Sequence, residues 1–133
     1  MKHWLLAILV LACSCGGRQR DYQPAENALD AGRQYIDACL KGDFSRAAFF
    51  MQPGAVNERL LGEEEQAYRQ KDKEGRQQYR TASININEVR ELSPDTTVIR
   101  YSNTVDKVQE TIRVIKNNDK WLVDLPEKDS TAH

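Results

Sequence analysis

Hydrophobic and polar positions follow three rhythms along this chain, and the changes of rhythm mark its elements. Trp4 to Ala12 is an uninterrupted apolar run, shorter than the ~20 residues a membrane-spanning helix needs. From Ala25 to Leu40 the apolar residues fall at Ala28, Ala31, Tyr35, Ile36, Cys39 and Leu40, the spacing of one helical face. Glu26, Asp30, Arg33, Gln34, Asp37 and Lys41 then turn to water. Gly42 suits a left-handed helix end, and Asp43 suits the cap of a second, short helix from Phe44 to Met51, which Pro53-Gly54 closes. A third helical stretch is predicted from about Asn57 to Arg80; roughly half of it is charged, with a narrow apolar seam of Leu60, Leu61, Ala67, Tyr68 and Tyr79. After Thr81 the repeat becomes two residues: Ala82, Ile84 and Ile86 alternate with Ser83, Asn85 and Asn87, a strand with one face wet. A second strand, Thr96 to Asn103, follows the Ser93-Pro94-Asp95 turn. A third runs from Lys107 to Lys116, with Val108, Ile112 and Val114 on one side. Asn117-Asn118-Asp119 is a turn signal, after which Trp121, Val123 and Leu125 form the inward set of a last strand.

Helices first and closely connected strands afterwards predict an α+β fold, with N-terminal helices packed on a curved antiparallel sheet of about four strands. The chain divides into a signal at 1–12, a tether at 13–24, one α+β domain at 25–126 and a polar tail at 127–133. A chain of 133 residues holds one core of ordinary size.

Lys2 ahead of the apolar run gives the charge and length pattern of an export signal. Its end, Val10-Leu11-Ala12-Cys13, resembles the lipobox of bacterial lipoproteins. The resemblance implies cleavage before Cys13, a diacylglycerol on its thiol and a further acyl group, such as palmitate, on the new amino terminus. Cys15, preceded by Leu11-Ala12-Cys13-Ser14, is the alternative lipidation site. Two or three acyl chains anchor firmly, because each buried methylene contributes ~0.8 kcal/mol and one chain alone holds only marginally. Ser14 in place of an aspartate implies, on the same resemblance, delivery to the outer membrane facing the periplasm. The run Gly16-Gly17-Arg18-Gln19-Arg20 contains no acidic surface-export signal. Gly16 to Pro24 is polar, punctuated by Gly and Pro, and reads as a flexible tether.

The helix-Lys41-Gly42-Asp43-Phe44-helix junction and the closing Asn118-Asp119-Lys120-Trp121-Leu122-Val123-Asp124 resemble small lipoproteins of unknown function with a nuclear transport factor 2-like, or cystatin-like, domain. The resemblance covers about residues 25 to 125 and implies a cone: a bent sheet wrapped around a long first helix, with a hollow between them. Relatives use that hollow for isomerisation, dehydration, small-molecule binding or protein contact, so the function has to come from the residues.

The formal charge of −1 gives no electrostatic footprint for nucleic acid. Three cysteines do not make a disulfide scaffold. His3 lies in the signal and His133 is the last residue, so the expected domain has no imidazole for a Ser/His/Asp or Cys/His centre, nor for nitrogen ligation of zinc. No cofactor motif and no glycine-rich phosphate loop is present. A carboxylate with a tyrosine could still move protons if an apolar pocket raised its pKa; Asp37, Asp43 and Asp124 with Tyr35, Tyr79 or Tyr101 are the nearest such set. Their plainer roles are a wet helix face for Asp37, a cap for Asp43 and an outward strand position for Asp124. Cys39 on the apolar face of the first helix is a small core hydrophobe, a lone nucleophile or half of a disulfide with Cys15. Glu63-Glu64-Glu65 fan around a helix and cannot converge on one ion. Tyr35, Tyr101 and Trp121 are candidate pocket-lining residues or, alternatively, core. Three functions follow: a membrane-anchored, non-catalytic binding module for a small apolar ligand or an envelope protein; a structural or assembly lipoprotein without a pocket; and an isomerase-like or hydratase-like enzyme.

Overall fold

The computed structural model describes residues 21–126; the expected signal, both candidate lipidation cysteines, His3, His133 and the polar tail lie outside them. Helix α1 (Ala28–Lys41) starts where the Asn27 side chain accepts a hydrogen bond from the Asp30 amide at 2.8 Å. It stops at Gly42, whose φ of 71° is left-handed. The Asp43 amide then donates to the Ala38 carbonyl at 2.8 Å, the closure of a glycine-ended helix. A Cβ on Gly42 would also lie 2.5 Å from the Tyr68 ring, so both backbone and packing require the glycine. Asp43 caps helix α2 (Phe44–Phe49) through the Arg46 amide, as the spacing predicts.

The long polar stretch is two helices instead of one: α3 (Ala55–Arg69) and α4 (Lys73–Arg80). Asp72 makes the break by accepting from the Gly75 amide at 2.7 Å, and the Arg76 guanidinium donates to the Lys71 carbonyl at 2.9 Å. With half the residues charged, hydrophobic burial does little to hold the segment straight, and a local cap decides its path.

Strands β1 (Ile84–Ser93), β2 (Thr96–Asn103), β3 (Glu110–Asn117) and β4 (Lys120–Asp124) form an antiparallel meander in the order β1-β2-β3-β4. The observed class is thus the expected α+β. The β3–β4 hairpin turns on Asn118 and Asp119, both with positive φ (48° and 62°), as a two-residue hairpin of matching twist requires. Two strand limits differ from expectation. β1 runs on to Ser93 through the polar stretch after Asn87, carried by its pairing with β2 across two irregularities. β3 begins only at Glu110, because Lys107 adopts φ 57° and leaves Val108 57% exposed instead of on the buried side.

The core lies between α1 and the sheet. Ala31, Ala38, Ala47, Ile99, Val114 and Val123 have no exposed surface. Gly32 lets the helix touch the sheet, since a Cβ there would lie 2.6 Å from Ile99 Cδ1. The β4 edge is covered by residues 50–52: the Val123 amide donates to the Phe50 carbonyl at 2.7 Å, and the Gln52 amide donates to the Val123 carbonyl at 2.8 Å. Buried Asn57 ties α3 to this edge, its Nδ2 donating to the Gln52 carbonyl and Asp124 Oδ1 while its Oδ1 accepts from the Leu125 amide. At the opposite edge, β1 is the outermost strand. Tyr22, expected within the flexible tether, instead packs its ring 5.4 Å from that of Phe49 and donates to Asp43 at 3.4 Å. An aromatic ring beside an apolar helix face is enough to draw this end of the tether onto the domain.

Candidate functional site

Beyond Gly32, α1 presents larger side chains, and a hollow of about 400 Å³ opens among α1, α3, α4 and the sheet. Its apolar floor and walls are Ile36 and Leu40 from α1, Leu60 from α3, Ile112 from β3, and Leu125 after β4. Four tyrosines surround it: Tyr35 on α1, Tyr68 on α3, Tyr79 on α4 and Tyr101 on β2. Charged groups on its wall are Glu63, Glu64 and Lys71 from the α3 side, and Asp106 and Glu110 from the β2–β3 side.

Each tyrosine is held differently. Tyr68 packs edge-on against Phe44, with ring centres 5.8 Å apart, and its oxygen accepts from Arg80 Nε at 3.0 Å. The Tyr79 hydroxyl donates to Asp106, and Asn103 Nδ2 holds the other carboxylate oxygen at 3.1 Å. Asp106 thereby links α4 to β2 across the hollow. Asn103 Oδ1 also accepts from the Val105 and Asp106 amides, which fixes the start of the β2–β3 connection. The Lys71 ammonium sits 4.2 Å from the centre of the Tyr79 ring, a cation–π contact.

Burial raises the pKa of Tyr35, Tyr79 and Tyr101 well above the ordinary tyrosine value. Nearby carboxylates add to the rise at two of them: Asp106 for Tyr79 and Glu110 for Tyr101. These hydroxyls therefore stay protonated around neutrality and act as hydrogen-bond donors. Burial pushes the Cys39 thiol up to about 12, although a hydrogen bond from Tyr35 partly opposes it. Such a thiol is not the thiolate that nucleophilic chemistry requires. Cys39 is a free thiol on the cavity wall, and Cys15 is outside the described residues.

Of the three candidate lining residues, Tyr35 and Tyr101 meet at the hollow and Trp121 does not. Trp121 packs half-buried against the margin of the core, with the Lys116 ammonium 5.5 Å from its ring centre. Asp37, Asp43 and Asp124 all lie off the cavity wall. Asp37 pairs with Arg46 at 2.5 Å and Lys41 at 3.1 Å, Asp43 caps α2, and Asp124 binds Arg113 and Asn57. The proton-transfer set considered from sequence is thus not assembled. Asp106, Glu110 and Asn103 are wall residues that the sequence does not single out, and Glu64 stands out there only as one of three glutamates fanned around a helix. Glu64 carries one available signal, since it lies three residues before Ala67 on the seam side of α3. The other three lie at the two strand ends and in the aperiodic connection between them. Among the described residues, no group of three or more His, Cys, Asp or Glu is placed to hold a metal ion, and no helix is long and apolar enough to cross a membrane.

Fold and site together define a small α+β protein with a tyrosine-lined hollow between its first helix and its sheet. No family model and no curated protein matches the chain. Among solved structures it is similar to the crystal structure of an NTF-2-like protein of unknown function from Shewanella oneidensis MR-1, with 14% sequence identity and a TM-score of 0.49 over 71% of this chain and 89% of that one.

Proposed function

We propose that this protein is a non-catalytic binding module that holds a small, largely apolar ligand in the hollow, tethered to the cell envelope through lipid on Cys13. The observation that carries this reading is the cavity itself. A volume of about 400 Å³ lies within the range of small-molecule sites, and apolar walls with a few convergent polar groups are their usual chemistry. The four tyrosines suit this role, offering broad apolar faces with one donor each. The tether from Cys13, with Cys15 as the alternative anchor, keeps the domain near the bilayer, at the periplasmic side of the outer membrane.

The test uses the mature chain, residues 13–133, made without acyl groups, and the neutral dye N-phenyl-1-naphthylamine. Saturable, one-to-one fluorescence enhancement is expected. Ala67→Trp, at an exposed position on the cavity wall, should abolish it without unfolding the protein. Absence of dye uptake, or uptake indifferent to Ala67→Trp, overturns the reading and favours a structural lipoprotein.

A further inference from the structure

We propose that the ligand of the hollow is an uncharged apolar alcohol, whose hydroxyl accepts a hydrogen bond from Tyr101 and donates one to Glu110. This inference rests on the binding reading above and names the polar end of its ligand. The first observation is placement. In the β2–β3 register Tyr101 stands directly opposite Glu110, and both line the hollow. Tyr101 shares its strand face with buried Ile99, and Glu110 shares its own with buried Ile112 and Val114. Residues paired in this way have Cβ atoms about 5 Å apart. A donor and an acceptor therefore flank one spot beside the apolar floor.

The second observation is that both groups are unspent, whereas their neighbours on the wall are committed. The Tyr79 hydroxyl and the Asn103 amide hold Asp106, the Tyr35 hydroxyl is given to the Cys39 thiol, and the Tyr68 oxygen takes Arg80 Nε. Glu63 pairs with Arg59 at 2.9 Å, and Glu64 is likewise engaged. Among the described residues, neither the Tyr101 hydroxyl nor the Glu110 carboxylate has a hydrogen-bond partner.

The two groups make different demands on a ligand. Tyr101 offers a proton, since burial first and the charge of Glu110 next hold its hydroxyl in the neutral form, while an ionised carboxylate only accepts. An alcohol answers both, because its oxygen accepts and its hydrogen is donated. A ketone or ether would serve Tyr101 and leave Glu110 without a donor. An ammonium would serve Glu110 and leave Tyr101 without an acceptor, and a carboxylate head would set like charge beside Glu110. In a partly desolvated hollow an unmet donor or acceptor costs more than a met one gains, so the pair selects for the hydroxyl.

The experiment is competition against N-phenyl-1-naphthylamine on the same mature chain, with decanol, its isomer methyl nonyl ether and decylamine, each below its solubility or micelle limit at neutral pH. Decanol accepts and donates, the ether only accepts, and the ammonium only donates. Tyr101→Phe is expected to raise the decanol and ether concentrations needed to displace the dye about fivefold, equivalent to ~1 kcal/mol, and to leave decylamine unchanged. Glu110→Met should weaken decanol by a similar factor while leaving the ether unchanged. The ligand that does not respond is the folding control for each variant, and the two substitutions test donor and acceptor separately, so a variant that fails to fold leaves the other arm decisive. Decanol indifferent to either folded variant, decanol and ether weakening together in Glu110→Met, or decylamine displacing the dye at a lower concentration than decanol overturns the alcohol assignment and leaves the binding module standing. Failure of the dye itself to bind removes both.

Discussion

Single side chains in this protein carry tasks of different visibility. Asn57 satisfies both ends of its amide on three partners, the Gln52 carbonyl, Asp124 and the Leu125 amide, and so joins α3 to the β4 edge. Asn57→Ala removes a buried amide and leaves the half-buried Leu125 amide without its acceptor, and should cost ~1–3 kcal/mol in chemical denaturation. Asp37 gives a pH signature. Partial burial works to raise its pKa, but hydrogen bonds from Arg46 and Lys41 outweigh burial and hold it below the ordinary carboxylate value. Its contribution to stability is therefore complete above the unfolded value of ~3.9 and is lost as pH falls through the lower folded value. The stability difference between the protein and Asp37→Asn should be constant near neutrality and vanish in that acid window. Capping residues such as Asp43 and Gly42 were legible because their partners are local in sequence. Asn57 was not, since its bonds to Asp124 and Leu125 span 67 and 68 residues.

At the scale of elements, periodicity identified helices and strands wherever one face is buried, and failed where none is. α1 and β2 follow their apolar pattern because the core enforces it. The polar segment after Asn57 reads as one helix because nothing in its composition outweighs continuity; the Asp72 cap, a local hydrogen bond, divides it. β1 extends past Asn87 because its ladder to β2 continues, although its side chains there are exposed. The expected inward alternation of β4 places Trp121 correctly on the core side, yet at the margin, away from the hollow. Trp121→Ala is accordingly expected to cost ~2 kcal/mol, about half the figure for a fully buried tryptophan, and to leave dye binding unchanged. A loss of dye binding would show that β4 shapes the cavity.

The whole molecule rests on one core running from α1 to β4, together with Tyr22 on α2. A protein beginning at Asp21 should fold without its anchor and unfold in one cooperative transition, with the same midpoint in the presence and absence of reductant. In the longer chain 13–133, which keeps Cys13 and Cys15, a drop of several kcal/mol on reduction would instead show Cys39 bonded to a second cysteine. On the proposed lipid anchoring, Cys13→Ser should abolish incorporation of a palmitate analogue in the host, and undiminished label would move the site to Cys15. Fold class could be read from the sequence because it follows from the order of rhythms. The hollow could not, because Tyr35, Tyr68, Tyr79 and Tyr101 come from four elements that only tertiary packing brings around one space.

The two margins of the sheet are unequal: residues 50–52 occupy one side of β4, while β1 forms the other border. Fibril growth by strand addition needs a donor and an acceptor border on every subunit. A subunit with one border sealed can pair with a second copy through β1, and the resulting pair exposes only its two sealed sides. Polymerisation by this route ends at two members, so even at high local concentration the protein is protected against runaway assembly by a three-residue segment of its own chain.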